Sequence, residues 1–428
     1  MNVLWIAYQP IPVITKQLSI GNGVVTGGWL QGAADIILCN KEIELSYCFP
    51  CSEILEGDTG GLHYYTIRKI PEIHFRDRTG YRRKDFDRFR YIIDKCEPDI
   101  IHIFGTETIF QRQFVQMAYD MGLISKTIVW IQGLVSICAK RSADGLSNRQ
   151  LHKRTFMEFI KRTNMADINN RLKLNGIGER RVINILKNVF IRTDWDTANC
   201  KAINNKLNFY HCNETLRNGF YGSEVWELAR IRRHSIFFSQ YAVPLKGFHK
   251  LLKALSIILR EYPDTMVYTT GKDLFHNNHQ TLSSYEKLLK QEIIRNDIKE
   301  HIVFLGVLDE YKMRDQYINA HVFVSASSIE NSPNSVAEAM ILGAPVVASD
   351  VGGVSSMLAH NVDGLLYPFE EEALLADYVC RIFGNDELAV RLSENARKHA
   401  LITHDREQNY SSLIAAYRQI IKNSGEMA

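Results

Sequence analysis

No run of 18 or more apolar residues occurs in the 428-residue sequence, so nothing in it reads as a membrane-crossing helix. The first strand-like stretch, "NVLWIAY", lacks the basic leader and small-residue cleavage site of a secretory signal, and a cytoplasmic location is expected. A formal net charge of only +3 is too small an excess to argue for nucleic acid as a partner. Low-complexity tracts are missing. With 46% hydrophobic and 23% charged residues there is no case for disorder, and there is enough apolar mass for a sizeable core. The eight cysteines are scattered singly except for Cys48 and Cys51 in "CFPC". Without a second pair or nearby histidines that spacing makes a poor zinc or redox site, and reduced, mostly buried thiols are expected.

What is present is a repeated pattern. In the second half "SIFFS" leads to "KGFHKLLKALSIILREY", "TMVYTTG" to "LSSYEKLLKQEIIR", "HIVFLG" to "DEYKMRDQYINA", and "PVVASD" to "GVSSMLAH". Each is a short β-branched or aromatic run followed by a stretch of helical period. Such units predict an α/β fold with a parallel sheet covered on both faces, its strand-to-helix turns gathered along one edge where ligands bind. The first half reads alike with longer interruptions, from "NVLWIAY" through "PDIIHIFG" and "TIVWIQG" to "NVFIRT". The expectation is therefore two doubly wound, Rossmann-like domains: residues 1–228, then residues 229–404, with a last helix over 405–428 crossing back onto the first. Between Arg76 and Arg90 lie seven basic residues, Arg76, Arg78, Arg82, Arg83, Lys84, Arg88 and Arg90, against Asp77, Asp85 and Asp87. This tract reads either as a surface facing anionic lipid or phosphate, or as a solvated helix face laced with i,i+4 pairs.

The stretch "SIENSPNSVAEAM", Ser328 to Met340, carries chemistry. Ser332 and Pro333 read as a helix start, with the hydroxyl as cap and proline at the first helical position. The amides of Asn334, Ser335 and Val336 would then be open to an anion such as a diphosphate. Glu330 lies before the helix and Glu338 inside it; ionised carboxylates accept from hydroxyls, so a sugar and a ribose at the two ends of one ligand would suit the pair. Gly352 and Gly353 after the next strand allow close backbone approach, and Lys246, before Gly247, is a flexible cation for a phosphate oxygen. "GNGVVTGGW" places Gly21, Gly23, Gly27 and Gly28 between a strand and a helix, although it is neither a Walker sequence nor a GxGxxG fingerprint.

Residues Ser235 to Pro368 resemble the nucleotide-sugar domain of retaining family 4 glycosyltransferases with the GT-B fold. The resemblance rests on "ENSPNSVAE", which matches their Glu-x7-Glu motif, followed by "GAPVVASDVGG" and "DGLLYP". "PDIIHIFG", "RTDWD" and "YHCNETLRNGFY" are similar to segments of bacterial members that build surface polysaccharides. The resemblance implies two domains facing a cleft. It implies Glu338 on the ribose hydroxyls, Glu330 near the transferred sugar, and Lys246 with the amides of Asn334, Ser335 and Val336 on the diphosphate. Gly27 and Gly28 would close over the donor, and the nucleobase would lie near Gly306, Val307 and Leu308. Two departures stand out: Tyr241 occupies a position where members commonly carry arginine, and Gln132 one where they often have histidine. Arg192 is a candidate to compensate for the first, or else part of a structural ion pair.

The implied reaction is retaining transfer of a sugar from a nucleotide diphosphate sugar to a hydroxyl of a glycan or lipid-linked acceptor, without a metal. Lys246 and the helix amides would act on charge that grows on the leaving diphosphate. An anionic membrane surface is a candidate partner. Two other readings stay open, a nucleotide-sugar epimerase of the same architecture and a non-catalytic nucleotide-sugar or polyanion-binding module; "DFD" and "DWD" carry no convincing metal cluster.

Overall fold

The structure is a computed structural model that describes residues 1–19, 28–40, 42–69, 81–222, 224–276 and 282–425. It contains two α/β units, one made of Met1–Ile137, Arg171–Asn218 and His404–Ala428, the other of Cys138–Asn170 and Gly219–Thr403.

In the first unit eight strands form one sheet: β1 (Asn2–Ile6), β2 (Glu44–Cys51), β3 (Glu56–Thr59), β4 (Leu62–Arg68), β5 (Ile100–Phe104), β6 (Thr127–Trp130), β7 (Asn188–Ile191) and β8 (Asn208–His211). Their spatial order is β3-β4-β2-β1-β5-β6-β7-β8, parallel throughout except for the β3–β4 pair. The pleat sends alternate residues to opposite faces. Val3 and Trp5 of β1 therefore join one core with the helices Gly28–Asn40 and Arg406–Gly425, while Leu4 and Ile6 join another with the helices Arg83–Cys96 and Ile109–Asp120. The same alternation disposes of "CFPC". Cys48 and Cys51 are three apart on β2, so Cys48 lies in one core and Cys51 in the other, and both are free thiols.

Helix Arg406–Gly425 completes this unit chemically as well as sterically. The buried Tyr417 hydroxyl accepts from Trp5 Nε1 at 3.0 Å and lies 2.5 Å from His102 Nδ1 on β5. Burial holds the His102 imidazole well below its usual pKa, so the ring is neutral and shares one hydrogen bond with the tyrosine hydroxyl through Nδ1.

Six parallel strands build the second sheet: β9 (Arg232–Phe238), β10 (Met266–Thr269), β11 (Ile302–Phe304), β12 (Ala320–Ser325), β13 (Val346–Ser349) and β14 (Leu365–Tyr367), in the order β11-β10-β9-β12-β13-β14. The order reverses between β9 and β12, and a doubly wound sheet opens a ligand crevice at the carboxyl ends of such neighbours. Residues Cys138–Asn170, read from sequence as part of the first domain, group with this unit. Glu158 shows how: its carboxylate accepts from the Ser284 amide at 2.8 Å, at the start of helix Ser284–Arg295.

The described part of the basic tract follows the solvated-helix reading. Arg82 pairs with Asp85, Arg83 with Asp87 and Arg88 with Glu56, while Phe89, Ile92 and Ile93 are buried beneath them. Arg76, Asp77 and Arg78 lie outside the described residues.

Candidate functional site

Lys246 closes a short 3-10 turn, Pro244–Lys246, in the segment that follows β9. Gly247 comes next with φ +74°, and a Cβ there would stand 1.7 Å from the Ala326 carbonyl oxygen just beyond β12. Only glycine permits both the backbone angle and the approach. The Ser328 amide donates to the Leu245 carbonyl at 2.8 Å, which fastens the post-β9 and post-β12 segments together. Lys246 Nζ consequently sits 2.6 Å from Glu330 Oε1, an oxygen that also accepts from Ser327 Oγ at 2.7 Å. The structure thus joins two residues 84 apart in sequence at the crevice between β9 and β12.

Gly352 and Gly353 serve this arrangement differently from the expectation. Gly352 has φ +59°, and a Cβ on it would come 1.9 Å from the Glu330 carbonyl oxygen, which also accepts from the Gly353 amide at 3.0 Å. The room made by Gly352 is taken up by the Glu330 backbone, and the Gly353 amide holds the same carbonyl.

The helix spans Asn334–Leu342 with Pro333 at the N-cap and no side-chain cap. This corrects the sequence reading twice. Pro333 lies one position earlier than expected and Ser332 does not cap; and the Val336 amide is already engaged, donating to the Pro333 carbonyl at 3.0 Å. The amides of Asn334 and Ser335 have no protein partner among the described residues, and both residues are half-buried. Two open amides at the positive end of a helix are able to receive an anion. Glu338, buried inside the helix, receives a hydrogen bond from the Tyr317 hydroxyl at 3.3 Å. Gly306, after β11, exchanges backbone hydrogen bonds with Gly271, and Val307 beside it is 71% exposed while Leu308 is half-buried.

Two residues do not join this site. Tyr241 is fully buried against Phe248 and Phe304 and donates its hydroxyl to the Lys272 carbonyl at 2.6 Å, so it fills core at the position where family members commonly carry arginine. Arg192 belongs to the first unit, in a buried ion pair 2.6 Å from Glu214, and donates to the carbonyls of Ile131 and Gln132. Its charge is balanced there by the Glu214 carboxylate. Gly27 lies outside the described residues; Gly28 opens its helix, packed against the Arg217 side chain. "DFD" and "DWD" resolve into helix chemistry: Asp85 pairs with Arg82, and Asp196 caps its helix by accepting from the Thr193 amide at 3.1 Å. Among the described residues no three His, Cys, Asp or Glu side chains converge as metal ligands.

The first unit has a crevice of its own at its order reversal between β1 and β5. A cavity of about 250 Å³ lies there, lined by Tyr8, Gln9, Trp29, Glu107, Gln111 and Gln132. Glu107 was missed from sequence, although its place in "FGTE", directly after β5, was a signal. Gly105, at φ +86°, leaves room for its carboxylate, and the Gly133 amide donates to Oε1 at 2.7 Å. Burial, reinforced by the nearby Glu179 carboxylate and opposed by the Gly133 amide, raises the Glu107 pKa to about 7. The Arg112 guanidinium donates to the Thr106 and Glu107 carbonyls close by.

A raised carboxyl pKa means that the folded state holds its proton more tightly than the unfolded one. The associated stability is complete below pH 4.5 and is lost as pH rises through about 7. Glu107→Gln removes that dependence. Urea unfolding at pH 5 and pH 8 is expected to show a wild-type loss of up to about 3 kcal/mol that the variant lacks. Parallel pH dependence in the two proteins would contradict the assignment.

Residues 230–399 match the family model described as glycosyl transferases group 1. The putative glycosyltransferase YtcC of Bacillus subtilis (strain 168) is 28% identical over 167 residues, 38% of this chain and 40% of that protein. The chain thus spans less than half the length of that curated relative. The uncharacterized glycosyltransferase MJ1607 of Methanocaldococcus jannaschii is 28% identical over 414 residues, 93% of each chain. The Anabaena protein Alr3699/HepE, solved in complex with UDP, superposes with a TM-score of 0.65 at 15% identity, covering 98% of this chain and 100% of that one. Its 15% identity shows a shared fold and no more. The two Rossmann-like units have the GT-B fold of this solved structure, and residues 230–399 are similar to the glycosyl transferases group 1 family.

Proposed function

We propose that this chain is a retaining, metal-independent glycosyltransferase of family 4. In this reading it moves a sugar from a nucleotide diphosphate sugar to a hydroxyl of a glycan or lipid-linked acceptor, in bacterial surface polysaccharide biosynthesis at the inner membrane face. The observation that carries the reading is the Lys246–Glu330 pair, at 2.6 Å, beside the open Asn334 and Ser335 amides at the β9/β12 crevice. Lys246 and the two amides take the diphosphate, and their positive field favours the charge that develops as the glycosidic bond breaks. Glu330 holds the hydroxyls of the transferred sugar once the lysine turns to phosphate, and Glu338 holds the ribose. Solved complexes of HepE with UDP and with UDP-glucose support a uridine donor as the first to try. In the first unit, Glu107 titrates near neutrality beside Trp29 and Gln132, which suits it to hold an acceptor hydroxyl and receive its proton.

A thermal-shift panel of nucleoside diphosphates and their sugars tests the reading, because a ligand selective for the folded state raises Tm by mass action. One nucleotide series is expected to stabilise the wild type, and Glu338→Gln to weaken that ligand by about 10- to 100-fold through loss of a charged acceptor. A panel without any stabilising nucleotide, or equal shifts in both proteins, would remove the donor site from this helix.

A further inference from the structure

Helix Phe156–Lys161 turns the usual surface pattern inside out. Its one acidic residue, Glu158, is only 7% exposed, whereas Phe156 is 77%, Met157 46%, Phe159 63% and Ile160 59% exposed. A helix on a soluble surface normally buries its apolar residues and presents its charges. Here the inversion is built in. Glu158 accepts from the Thr155 amide at 2.7 Å, and from the Ser284 amide at 2.8 Å and hydroxyl at 3.0 Å, so it anchors the polar side inward and leaves four large apolar side chains in solvent.

The flanks of this helix are cationic. His152, Lys153 and Arg154 precede it, Lys161 is its last residue and Arg162 follows; the only acid between residues 152 and 163 is the inward Glu158. Arg154 is partly neutralised by Asp167 at 3.1 Å. A contiguous apolar tip ringed by basic residues matches a bilayer surface, where side chains enter the acyl boundary while lysines and arginines meet anionic headgroups. A second copy of the chain would bring like charges face to face around the same tip. The helix has six residues and cannot span the apolar core, so it can act only at the interface.

We infer that residues 152–162 form a membrane-docking tip that seats this protein on an anionic lipid surface. The inference rests on the inner-face location in the proposed function and assigns it to this element instead of the tract at residues 76–90. Docking is independent of the transfer chemistry.

Co-sedimentation with vesicles of phosphatidylcholine alone, and of equimolar phosphatidylcholine and phosphatidylglycerol, tests it. Wild-type protein is expected to partition onto the anionic vesicles, and Phe156→Asp/Phe159→Asp to lower that partitioning by on the order of tenfold or more. Lys153→Glu/Lys161→Glu is expected to reduce it by about tenfold while keeping the apolar tip. Charge reversal at Arg82, Arg83 and Lys84 is expected to leave it within about twofold. Nucleotide-induced thermal shifts, unchanged in all variants, keep this outcome separate from that of the donor site. The inference is overturned if wild-type protein ignores both vesicle types or if the Phe156→Asp/Phe159→Asp variant binds like wild type. It is equally overturned if sedimentation velocity shows a dimer that the same variant splits, since the tip would then be covered by a second copy.

Discussion

Lys246→Ala is expected to lower kcat for sugar transfer by about 10²- to 10³-fold, with a much smaller change in KM. The asymmetry follows from what the lysine faces before and during reaction. In the ligand-free protein its ammonium is already satisfied, 2.6 Å from Glu330, so much of what it offers a bound donor is offset by leaving that carboxylate. In the proposed transfer, negative charge accumulates on the diphosphate as the sugar–oxygen bond stretches, and the exchange turns favourable. An interaction strengthened only at that stage appears in kcat. Folding should be nearly unaffected. The Lys246 side chain is 29% exposed, and Glu330 keeps its bond from Ser327 after truncation, so the loss of stability should stay within about 1 kcal/mol. Single-turnover rates with saturating donor would measure the effect directly, and a rate within about threefold of wild type would remove Lys246 from the chemistry.

Gly247→Ala carries the second large effect, and it acts on both stability and turnover. The left-handed backbone angle disfavours any β-carbon by about 1–2 kcal/mol. The collision with the Ala326 carbonyl, 1.7 Å from the new atom, then forces one of the two segments to move. Together these should destabilise the protein by about 3 kcal/mol or more, read as a shift in the urea midpoint. Either way the spacing between the segment that carries Lys246 and the one that carries Ser328, joined by the Leu245 carbonyl, is disturbed. Activity of the remaining folded fraction should therefore fall as well. Wild-type activity per folded molecule would mean that the segment spacing does not govern Lys246.

Much of the second unit was legible because its strands are short, buried on both faces and separated by helices of clear period. A parallel sheet demands that pattern, and the crevice at its carboxyl edge follows from it. The Lys246–Glu330 neighbourhood was legible for the same reason, since both follow strands that end at that crevice. Details that depend on tertiary packing were not. Proline suits both the N-cap and the first helical position, so the true start of helix Asn334–Leu342, and with it the fate of the Val336 amide, could not be read from composition. The double glycine at Gly352 and Gly353 looks the same in sequence whether its space admits a ligand or, as here, the Glu330 carbonyl. Arg192 finds its counter-charge 22 positions away at Glu214, a pairing that no local pattern announces. The Cys138–Asn170 segment joins the second unit through Glu158 and Ser284, 126 residues apart, and helical period says nothing about which sheet a helix will lean on.

The discontinuity of the first unit has a consequence during synthesis. Its core is not closed until Tyr417 emerges to meet Trp5 and His102, whereas every residue of the second unit, through Thr403, has been polymerised by then. On the ribosome the later-encoded unit can thus mature first, and the amino-terminal sheet must wait with one apolar flank uncovered. A nascent chain stalled between these two points should hold a protease-resistant second half beside a digestible first half, reversing the vectorial order usual for tandem domains.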